Sequence, residues 1–313
     1  MSNPEAQNAE VSSLLKNIYR CADKSSWYNS VAKAYDRTRP RYPEAIWAYL
    51  QEIAQLEPGK SVLEIGSGPG IATVELAKTG AKIVALEPSL SACELAKSKC
   101  AAYANVEVVN TTFEAWELNN QKFDVVVATT SFHWVSPEVR HQKAATALKD
   151  SGLLVLMWNT PPQPSYEVHQ SLREVYLNHA PELAKYEGHQ SHEHNLGLIG
   201  KQVLDSGYFC DLAVKKSISQ VRYSVDDYLT LLSTLSPYIR LESEQRSLRN
   251  AVAHGGNPRR ESGTSRNKFG VSSHKDRAAS LLLSELQKVL QLNYDTYLEL
   301  EYLSLVQIAR VQA

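Results

Sequence analysis

The chain has 313 residues, of which 43% are hydrophobic and 21% charged, a composition typical of a water-soluble globular protein with one large or two smaller domains. Its 33 Lys and Arg residues nearly balance its 34 Asp and Glu residues, so the formal net charge at pH 7 is −1. This balance removes the general electrostatic attraction to nucleic acid that a strongly basic chain has, and we expect no nucleic-acid partner.

Residues 1–43 are predicted to form an N-terminal arm and a lid. Residues 1–25 are polar and weakly patterned, which is typical of a frayed end. The stretch 35–43, YDRTRPRYP, cannot be helical throughout, because Pro40 and Pro43 disfavour helical geometry in the residues before them.

Between residues 44 and 160 the chain alternates between predicted helices and predicted strands. Apolar residues recur at helical spacing over 44–56, and short apolar runs then alternate with helical segments. The run 123–129 is hydrophobic without alternation, as expected for a strand covered on both faces. This rhythm predicts an α/β fold with a doubly wound, mostly parallel sheet, and together with the later strands we expect seven strands in all. The other predicted strands of this part are 60–66, 82–87, 105–110 and 152–158, and the other predicted helices are 71–80, 89–102 and 137–149.

The next part of the chain, 161–253, is predicted to cap a substrate pocket with helices. Two helical patterns lie at 166–179 and 226–235, and one or two strands are predicted over 209–221. The last part, 278–313, is predicted to form a helix and a closing antiparallel strand near 290–303.

A basic segment at 254–277 separates these two parts. It holds six Lys or Arg residues against two acidic residues, and Phe269 and Val271 are its only large apolar residues. Such a segment cannot bury enough apolar surface to fold, so we predict a disordered basic insertion. The alternative interpretation is a basic arm that contacts RNA, DNA or lipid.

The cysteines and the apolar runs indicate a cytoplasmic protein without a membrane partner. Four cysteines occur, at positions 21, 93, 100 and 210, and no two have the spacing of a CxxC zinc or redox motif. The longest purely apolar run, 153–158, is far shorter than the about 20 residues that cross a bilayer. The first 20 residues have no apolar stretch typical of a signal peptide.

The most informative segment is the glycine-rich turn VLEIGSGPG at 62–70, between a predicted strand and a predicted helix. Glycine adopts a positive φ and lets a ligand approach the backbone, and the first turn of a helix presents free N–H groups. Glu87 ends the next predicted strand, where a carboxylate can accept hydrogen bonds from both hydroxyls of a ribose. The dinucleotide fingerprint GxGxxG fails because Ile71 stands at its third glycine, and no Gly-Lys-Ser/Thr of a P-loop follows.

Four segments in this order resemble the motifs of class I S-adenosylmethionine-dependent methyltransferases. VLEIGSGPG resembles the glycine-rich motif and VALEPS the ribose motif, whereas NTTFEAWEL (110–118) resembles the adenine segment. FDVVVATTSFHWV (123–135) resembles the strand and loop beside the transferable methyl group. The chain looks most like small-molecule enzymes of the methyltransferase type 11 kind, similar to those resembling trans-aconitate methyltransferase. The resemblance implies a Rossmann-like fold, S-adenosylmethionine as cofactor, and methyl transfer by direct displacement to a small molecule, with a carboxylate as one candidate acceptor.

The resemblance also implies roles for individual residues. Glu64 would orient the ammonium group of the cofactor, Glu87 would bind the ribose, and Arg39 would clamp a carboxylate of the cofactor or the substrate. Thr112 stands where the family often has Asp, and its hydroxyl would be a weaker partner for the adenine amine. The complete set of implied cofactor-binding residues is Glu64, Gly66, Ser67, Gly68, Gly70, Glu87, Pro88, Thr112, Phe113, Thr129, Ser131 and Arg39.

His133 is the candidate catalytic residue, because an imidazole can remove a proton near neutral pH. It lies between Phe132 and Trp134, so the alternative is a wall residue of the pocket, and a carboxylate acceptor would need no base. The predicted substrate-pocket residues are Tyr35, Phe132, His133, Trp134 and Trp27.

No metal site is predicted. The histidines of GHQSHEHN (188–195) follow no strong metal-ligand spacing, and we interpret this segment as a polar loop. Two other functions remain open: an S-adenosylmethionine-binding protein without transferase activity or with an RNA-associated role, and an NAD-dependent oxidoreductase. The sequence does not indicate the oligomeric state.

Overall fold

The computed structural model describes residues 28–241, 277–294 and 297–312. Trp27 and residues 254–276 of the predicted basic insertion lie outside the described residues. Arg277, the last residue of that insertion, begins a helix.

A mixed β-sheet forms the centre of the fold, and it confirms the predicted α/β class. Its strands β1 to β5 are parallel, whereas the closing strand β8 runs antiparallel to β5, as predicted. The strand order is β3-β2-β1-β4-β5-β8-β6, with β7 also paired to β8. Among the described residues the sheet therefore has eight strands, one more than predicted, and the additional strand is the two-residue β6. The bounds are β1 Ser61–Ile65, β2 Lys82–Leu86, β3 Val106–Val109, β4 Phe123–Thr129, β5 Leu148–Asn159, β6 Gln163–Pro164, β7 Phe209–Ser224 and β8 Tyr297–Val311.

The central strands are buried on both faces, which explains their continuous apolar runs. Successive side chains of a strand point to opposite faces. Leu63 and Ile65 of β1 accordingly pack in one hydrophobic cluster, whereas Val62 packs in another. The fully buried Glu64 lies among these apolar residues, where a carboxylate without hydrogen bonds would be costly.

Helices connect the strands at the positions that the apolar spacing predicts, although the closing strand begins later than expected. Residues 290–293 belong to a helix, and β8 begins at Tyr297. The helices are α1 Ala32–Thr38, α2 Glu44–Ala54, α3 Ile71–Ala77, α4 Leu90–Cys100, α5 Pro137–Ala147, α6 Tyr166–His179, α7 His189–Asp205, α8 Val225–Ser233 and α9 Arg277–Asn293.

The described residues divide into two compact units that are not consecutive in sequence. The first contains the sheet and comprises residues 28–163, 187–221 and 300–312. The second comprises residues 164–186, 222–241 and the described part of 277–299. In the second unit α9 packs on α6 and α8 through a buried stripe of leucines at positions 282, 286 and 290. The predicted linear division at residues 160 and 278 therefore differs from the structure, since α9 and most of β8 fall in different units.

The histidine-rich segment is helical, so the interpretation of 188–195 as a polar loop was wrong. His189 is the first residue of α7, and Gly188 is its N-cap. Gly200 and Val203 of α7 are buried, so tertiary packing stabilises a helix whose first turns carry little apolar periodicity. Among the described helices none is long and apolar enough to cross a membrane.

Candidate functional site

A groove opens where three adjacent parallel strands, β1, β4 and β5, end. The strand order reverses between β1 and β4, and this switch point is where open α/β sheets bind ligands. The groove contains about 460 Å³ of empty space, a volume that includes open solvent at its mouth. Its lining residues are Tyr35, Arg39, Pro40, Tyr42, Gly66, Ser67, Gly68, Pro69, Ile71, Thr129, Thr130 and Asn159.

The glycine loop after β1 forms one wall of the groove. Gly66 and Gly68 have φ values of +69° and +56°, which residues other than glycine rarely adopt. A Cβ on Gly66 would lie 2.6 Å from the Cβ of Ser131, whereas no atom of the described residues lies within 4 Å of a Cβ built on Gly68. The loop is therefore packed at Gly66 and leaves space for a ligand at Gly68.

Gly70 serves the packing of two helices. Its φ is +81°, and a Cβ there would lie 3.1 Å from the Cα of Ala96 in α4. Gly70 is the N-cap of α3, so its missing side chain lets α3 and α4 approach each other. The contact that the sequence suggests between Gly70 and a cofactor would have to involve its backbone.

Glu64 is buried beside the groove. Its carboxylate accepts hydrogen bonds from the hydroxyls of Thr73, at 2.7 Å, and of Thr129, at 3.5 Å. Removal from water raises the pKa of Glu64 from 4.5 to about 7, although these two hydrogen bonds oppose the shift. Because Thr129 lines the groove, a cation bound there would have a buried carboxylate close by.

Glu87 follows β2 and is 7% exposed. The backbone N–H groups of Gly68 and Ser89 donate to its two carboxylate oxygens at 2.8 and 2.7 Å. Burial raises the pKa of Glu87, while these backbone hydrogen bonds favour the charged form. A carboxylate has about four lone-pair positions, so two remain for the hydroxyls of a ligand.

The predicted adenine segment is fastened to the end of β2. The side-chain amide of Asn110 donates to the carbonyl oxygens of Glu87, at 2.8 Å, and Pro88, at 3.1 Å. The hydroxyl of Thr112 accepts from the N–H of Ala115 at 3.1 Å, and Phe113 is buried in the core. Thr112 is therefore already engaged in a local turn, and the groove-lining residues do not include Thr112 or Phe113.

The loop after β4 begins with strained backbone. Thr130 has φ +54°, which is an outlier for a β-branched residue and costs about 1–3 kcal/mol. The Thr130 N–H donates to the carbonyl of Met157 at 2.7 Å, and the hydroxyl of the buried Ser131 donates to the carbonyl of Ile65. These bonds tie the loop to the ends of β5 and β1.

The three aromatic residues of the FHW motif form a short 3-10 helix, and the structure separates their roles. Phe132 is 0% exposed and packs in the core near the guanidinium of Arg140, so its predicted place in the substrate pocket is wrong. The ring of His133 lies 5.1 Å from that of Trp134 and 5.5 Å from that of the buried Trp158. Trp134 also meets the ring of Tyr28 edge-on at 5.9 Å. His133 thus belongs to an aromatic stack that is partly accessible.

Arg39 and Tyr35 line the groove together. The guanidinium of Arg39 lies 4.5 Å above the ring centre of Tyr35, in the geometry of a cation–π interaction. A guanidinium is planar, and its N–H donors match the geometry of a planar anion such as a carboxylate.

Sequence reasoning missed six groove residues: Pro40, Tyr42, Pro69, Ile71, Thr130 and Asn159. The hydroxyl of Tyr42 lies 3.1 Å from that of Thr130 and donates to the carbonyl of Met157 at 3.3 Å. Burial raises the pKa of Tyr42, so its hydroxyl stays protonated. The only available signal was the density of Arg, Tyr and Pro at 35–43, which does not say which side chain reaches the sheet.

The histidines of α7 do not form a metal centre. Within the described ranges no group of three or more His, Cys, Asp or Glu residues is placed to hold a metal ion. His189 instead contacts the carboxylate of Glu301 at 3.2 Å, and His192 lies 2.8 Å from the amide nitrogen of Gln163.

Comparisons with known proteins identify the domain that contains the groove. The sequence profile of the family described as "Methyltransferase domain" matches residues 62–152. An uncharacterized methyltransferase of Mycobacterium bovis is 30% identical over 138 residues, which are 44% of this chain and 54% of that protein. The chain therefore spans about half the length of this relative.

Two further comparisons extend beyond the sheet. An uncharacterized methyltransferase of Schizosaccharomyces pombe is 24% identical over 214 residues, which are 68% of this chain and 79% of that protein. A solved structure from Anaeromyxobacter dehalogenans, described as a type II methyltransferase, matches with a TM-score of 0.55 and 16% identity over 87% of this chain and 97% of its own. This structural match supports the fold.

Proposed function

The chain carries a class I S-adenosylmethionine-dependent methyltransferase domain, and from this premise we propose that it transfers a methyl group to a carboxylate-bearing small molecule. The observation that carries this proposal is the groove at the β1–β4 switch point. Its open glycine loop at Gly68 lies next to two buried carboxylates, Glu87, which accepts from the Gly68 N–H, and Glu64, which accepts from the groove-lining Thr129. These groups suit a nucleoside with a cationic amino-acid arm.

The residues of the groove fit S-adenosylmethionine. The remaining lone pairs of Glu87 would accept from the ribose hydroxyls, and the backbone of Gly66 to Gly68 would contact the amino-acid arm. Glu64 attracts the ammonium group, directly or through Thr129. When bound, the cofactor would supply an electrophilic methyl group: the acceptor atom bonds to the methyl carbon as the methyl–sulfur bond breaks, and S-adenosylhomocysteine leaves.

The protein's contribution is to position the acceptor and exclude water. Thr129 and the loop that follows it lie at the end of β4, where the acceptor must approach the methyl group. Trp134, Tyr28 and Tyr35 form a chain of edge-on aromatic contacts, with ring centres 5.9 and 6.2 Å apart, that shields this region. Holding two reactants in line in this way accounts for much of the rate of a displacement reaction.

Arg39 supports a carboxylate as part of the acceptor. Its stacking on Tyr35 places the guanidinium at the groove, and the planar fork of N–H donors of a guanidinium matches the geometry of a carboxylate. If the carboxylate itself is methylated, no proton has to be removed, and His133 is then a wall residue. If a hydroxyl or amine beside it is methylated, His133 takes the proton.

Replacement of Gly68 by Asp tests the cofactor site. The new side chain fills the open space of the glycine loop and brings a negative charge near Glu87, so we expect calorimetry to show no binding of S-adenosylmethionine or S-adenosylhomocysteine. Gly207→Asp is the matched control, because Gly207 also has a positive φ of +75° and open space around its Cβ among the described residues. The Gly207→Asp control should bind both compounds with wild-type affinity. NADH should bind to neither of the two variants. Unchanged binding by Gly68→Asp would contradict the proposed site, and binding of NADH alone would favour an oxidoreductase.

Replacement of Arg39 tests the acceptor class. A screen of small acids, amines and phenols with methyl-labelled cofactor should give labelled products among the acids, and Arg39→Met should raise the KM for the acid at least about tenfold by removing a charged hydrogen bond. Arg222→Met is the control, because Arg222 stacks on Tyr297 at 4.6 Å and is not a groove-lining residue. Labelling confined to amines or phenols, with Arg39→Met as active as the control, would contradict a carboxylate acceptor. Cofactor binding without any labelled product would favour a binding protein that has no transferase activity.

A further inference from the structure

The segment Pro40–Tyr42 is fastened to the sheet at three points. The side-chain amide of Asn159, at the end of β5, donates to the carbonyl of Pro40 at 3.1 Å. The hydroxyl of Tyr302, in β8, donates to the carbonyl of Arg41 at 3.1 Å. The hydroxyl of Tyr42 reaches the hydroxyl of Thr130 at 3.1 Å. We call this arrangement the clasp. It joins the segment to three different strands or strand ends, so the segment is a fixed part of the groove rather than the lid that the sequence suggests.

The orientations of the clasp side chains are themselves determined. The hydroxyl of Ser304 donates to the side-chain oxygen of Asn159 at 2.6 Å, so the amide nitrogen of Asn159 must face Pro40. The ring of Tyr42 packs edge-on against that of Trp47 in α2, with centres 5.9 Å apart. Tyr42 therefore presents its hydroxyl to Thr130 from a ring that cannot easily turn away.

Thr130 is the residue on which the clasp acts. Its φ of +54° is unfavourable for a β-branched residue, so neighbouring contacts must maintain it. Its hydroxyl meets Tyr42, and it also accepts from the N–H of Asn159 at 3.4 Å. A consistent proton arrangement exists: Asn159 N–H donates to Thr130, Thr130 O–H to Tyr42, and Tyr42 O–H to the carbonyl of Met157.

We propose that Tyr42 is a positioning residue of the methyl-transfer site: through the clasp it holds Thr130 in its left-handed conformation and so sets the course of the loop 131–134 beside the groove. Ser131 follows Thr130 directly and closes on the carbonyl of Ile65 at the glycine loop. The same backbone turn therefore leads into His133 and Trp134 and places Ser131 against Gly66 of the glycine loop. This inference rests on the proposed function and adds a residue that acts on the reaction through the backbone of Thr130.

Hydrogen exchange tests the structural part of the inference without needing the acceptor. Tyr42→Phe removes the hydroxyl only, and we expect faster amide exchange in the segment 129–135, because the Thr130 N–H bond to Met157 opens more often. Tyr49→Phe is the control, because Tyr49 is a half-buried tyrosine of α2 outside the groove lining, and its segment 129–135 should exchange like that of the wild type. Equal exchange in the two variants would overturn the inference.

Three substitutions of Thr130 separate its backbone geometry from its hydroxyl. Gly and Asn adopt positive φ readily, whereas Val keeps the strain and loses the hydrogen bonds. With the acceptor from the labelling screen, we expect Thr130→Val and Tyr42→Phe to lower kcat about 10- to 100-fold, the size of effect that a misplacement of about 1 Å produces. Thr130→Gly and Thr130→Asn should retain most of kcat, and adding Tyr42→Phe to Thr130→Gly should cost little more.

Two outcomes would contradict a positioning role. If Thr130→Gly loses as much kcat as Thr130→Val, the hydroxyl acts on the ligand directly. If Tyr42→Phe costs as much in the Thr130→Gly protein as in the wild type, Tyr42 itself contacts the ligand. Calorimetry with S-adenosylhomocysteine separates these outcomes from failure of the proposed function. If the wild-type protein does not bind S-adenosylhomocysteine, the proposed function is refuted. The exchange measurement still tests the clasp in that case.

Discussion

The two buried carboxylates of the groove differ in how the protein compensates their charge. Glu87 accepts two backbone N–H bonds, which favour its ionised form. Glu64 has only the hydroxyls of Thr73 and Thr129, one of them at 3.5 Å, and its pKa rises to about 7. Glu64 therefore lacks a strong partner in the described residues around it, and a bound ammonium group would supply one.

This difference predicts that cofactor binding releases a proton below pH 7. An ammonium group beside Glu64 favours the carboxylate, so binding lowers its pKa and expels the proton that Glu64 carries near pH 6.5. Calorimetry with S-adenosylhomocysteine at pH 6.5 should give a heat that changes with the ionisation enthalpy of the buffer, and affinity should increase from pH 6 to 8. Glu64→Gln should abolish the buffer dependence, while Glu75→Gln, which changes an exposed glutamate of α3, should retain it. A wild-type heat that is independent of the buffer would contradict the prediction.

The raised pKa of Glu64 also determines how Glu64 changes the stability of the folded protein with pH. Its pKa in the folded chain, about 7, is above its ordinary value of 4.5, so the folded state binds the proton more tightly than the unfolded state. The contribution of Glu64 to the stability of the ligand-free protein is therefore full below pH 4.5 and is lost as the pH rises through 7.

At the scale of elements, the glycine loop combines three requirements in five residues. Gly66 makes room for Ser131 of the loop after β4, Gly68 leaves the groove open, and Gly70 allows α3 to lie close to α4. Only the second of these concerns a ligand directly. The motif therefore packs two helices and a loop around the end of β1, in addition to presenting a surface to a cofactor.

Gly70 should accordingly matter for stability. In Gly70→Ala the new methyl group lies 3.1 Å from the Cα of Ala96, and the residue also keeps a φ of +81°. We expect a loss in the free energy of unfolding of about 2–5 kcal/mol, the sum of left-handed strain and overpacking, measured by denaturant titration. Gly59→Ala is the control, because Gly59 has φ +101° and open space around its Cβ among the described residues. This variant has the backbone strain without the overpacking, so its free energy of unfolding should fall by about 1–2 kcal/mol. Equal losses in the two variants would show that the contact with Ala96 is relieved without cost.

For the whole molecule, the arrangement of the two units explains why a linear division of the chain fails. The sheet unit takes α7, most of β7 and most of β8 from the later part of the chain, while α6, α8 and α9 form the second unit. The leucine stripe of α9 predicts an amphipathic helix, but a stripe does not indicate which helices will cover it. That choice depends on contacts between residues far apart in sequence.

The sequence alone determined the α/β class, the parallel strands β1 to β5, the antiparallel β8 and the methyltransferase resemblance, all of which are confirmed. These features are local, because apolar periodicity, glycine spacing and an acid at a strand end can be recognised within a few residues. Only the tertiary structure decided that Phe132 belongs to the core, that Gly70 packs on Ala96, and that 188–195 is helical. It also brought Tyr42 to Thr130 across 88 positions and Arg41 to Tyr302 across 261, because the folding of the sheet, rather than any local preference, places those groups within reach of each other.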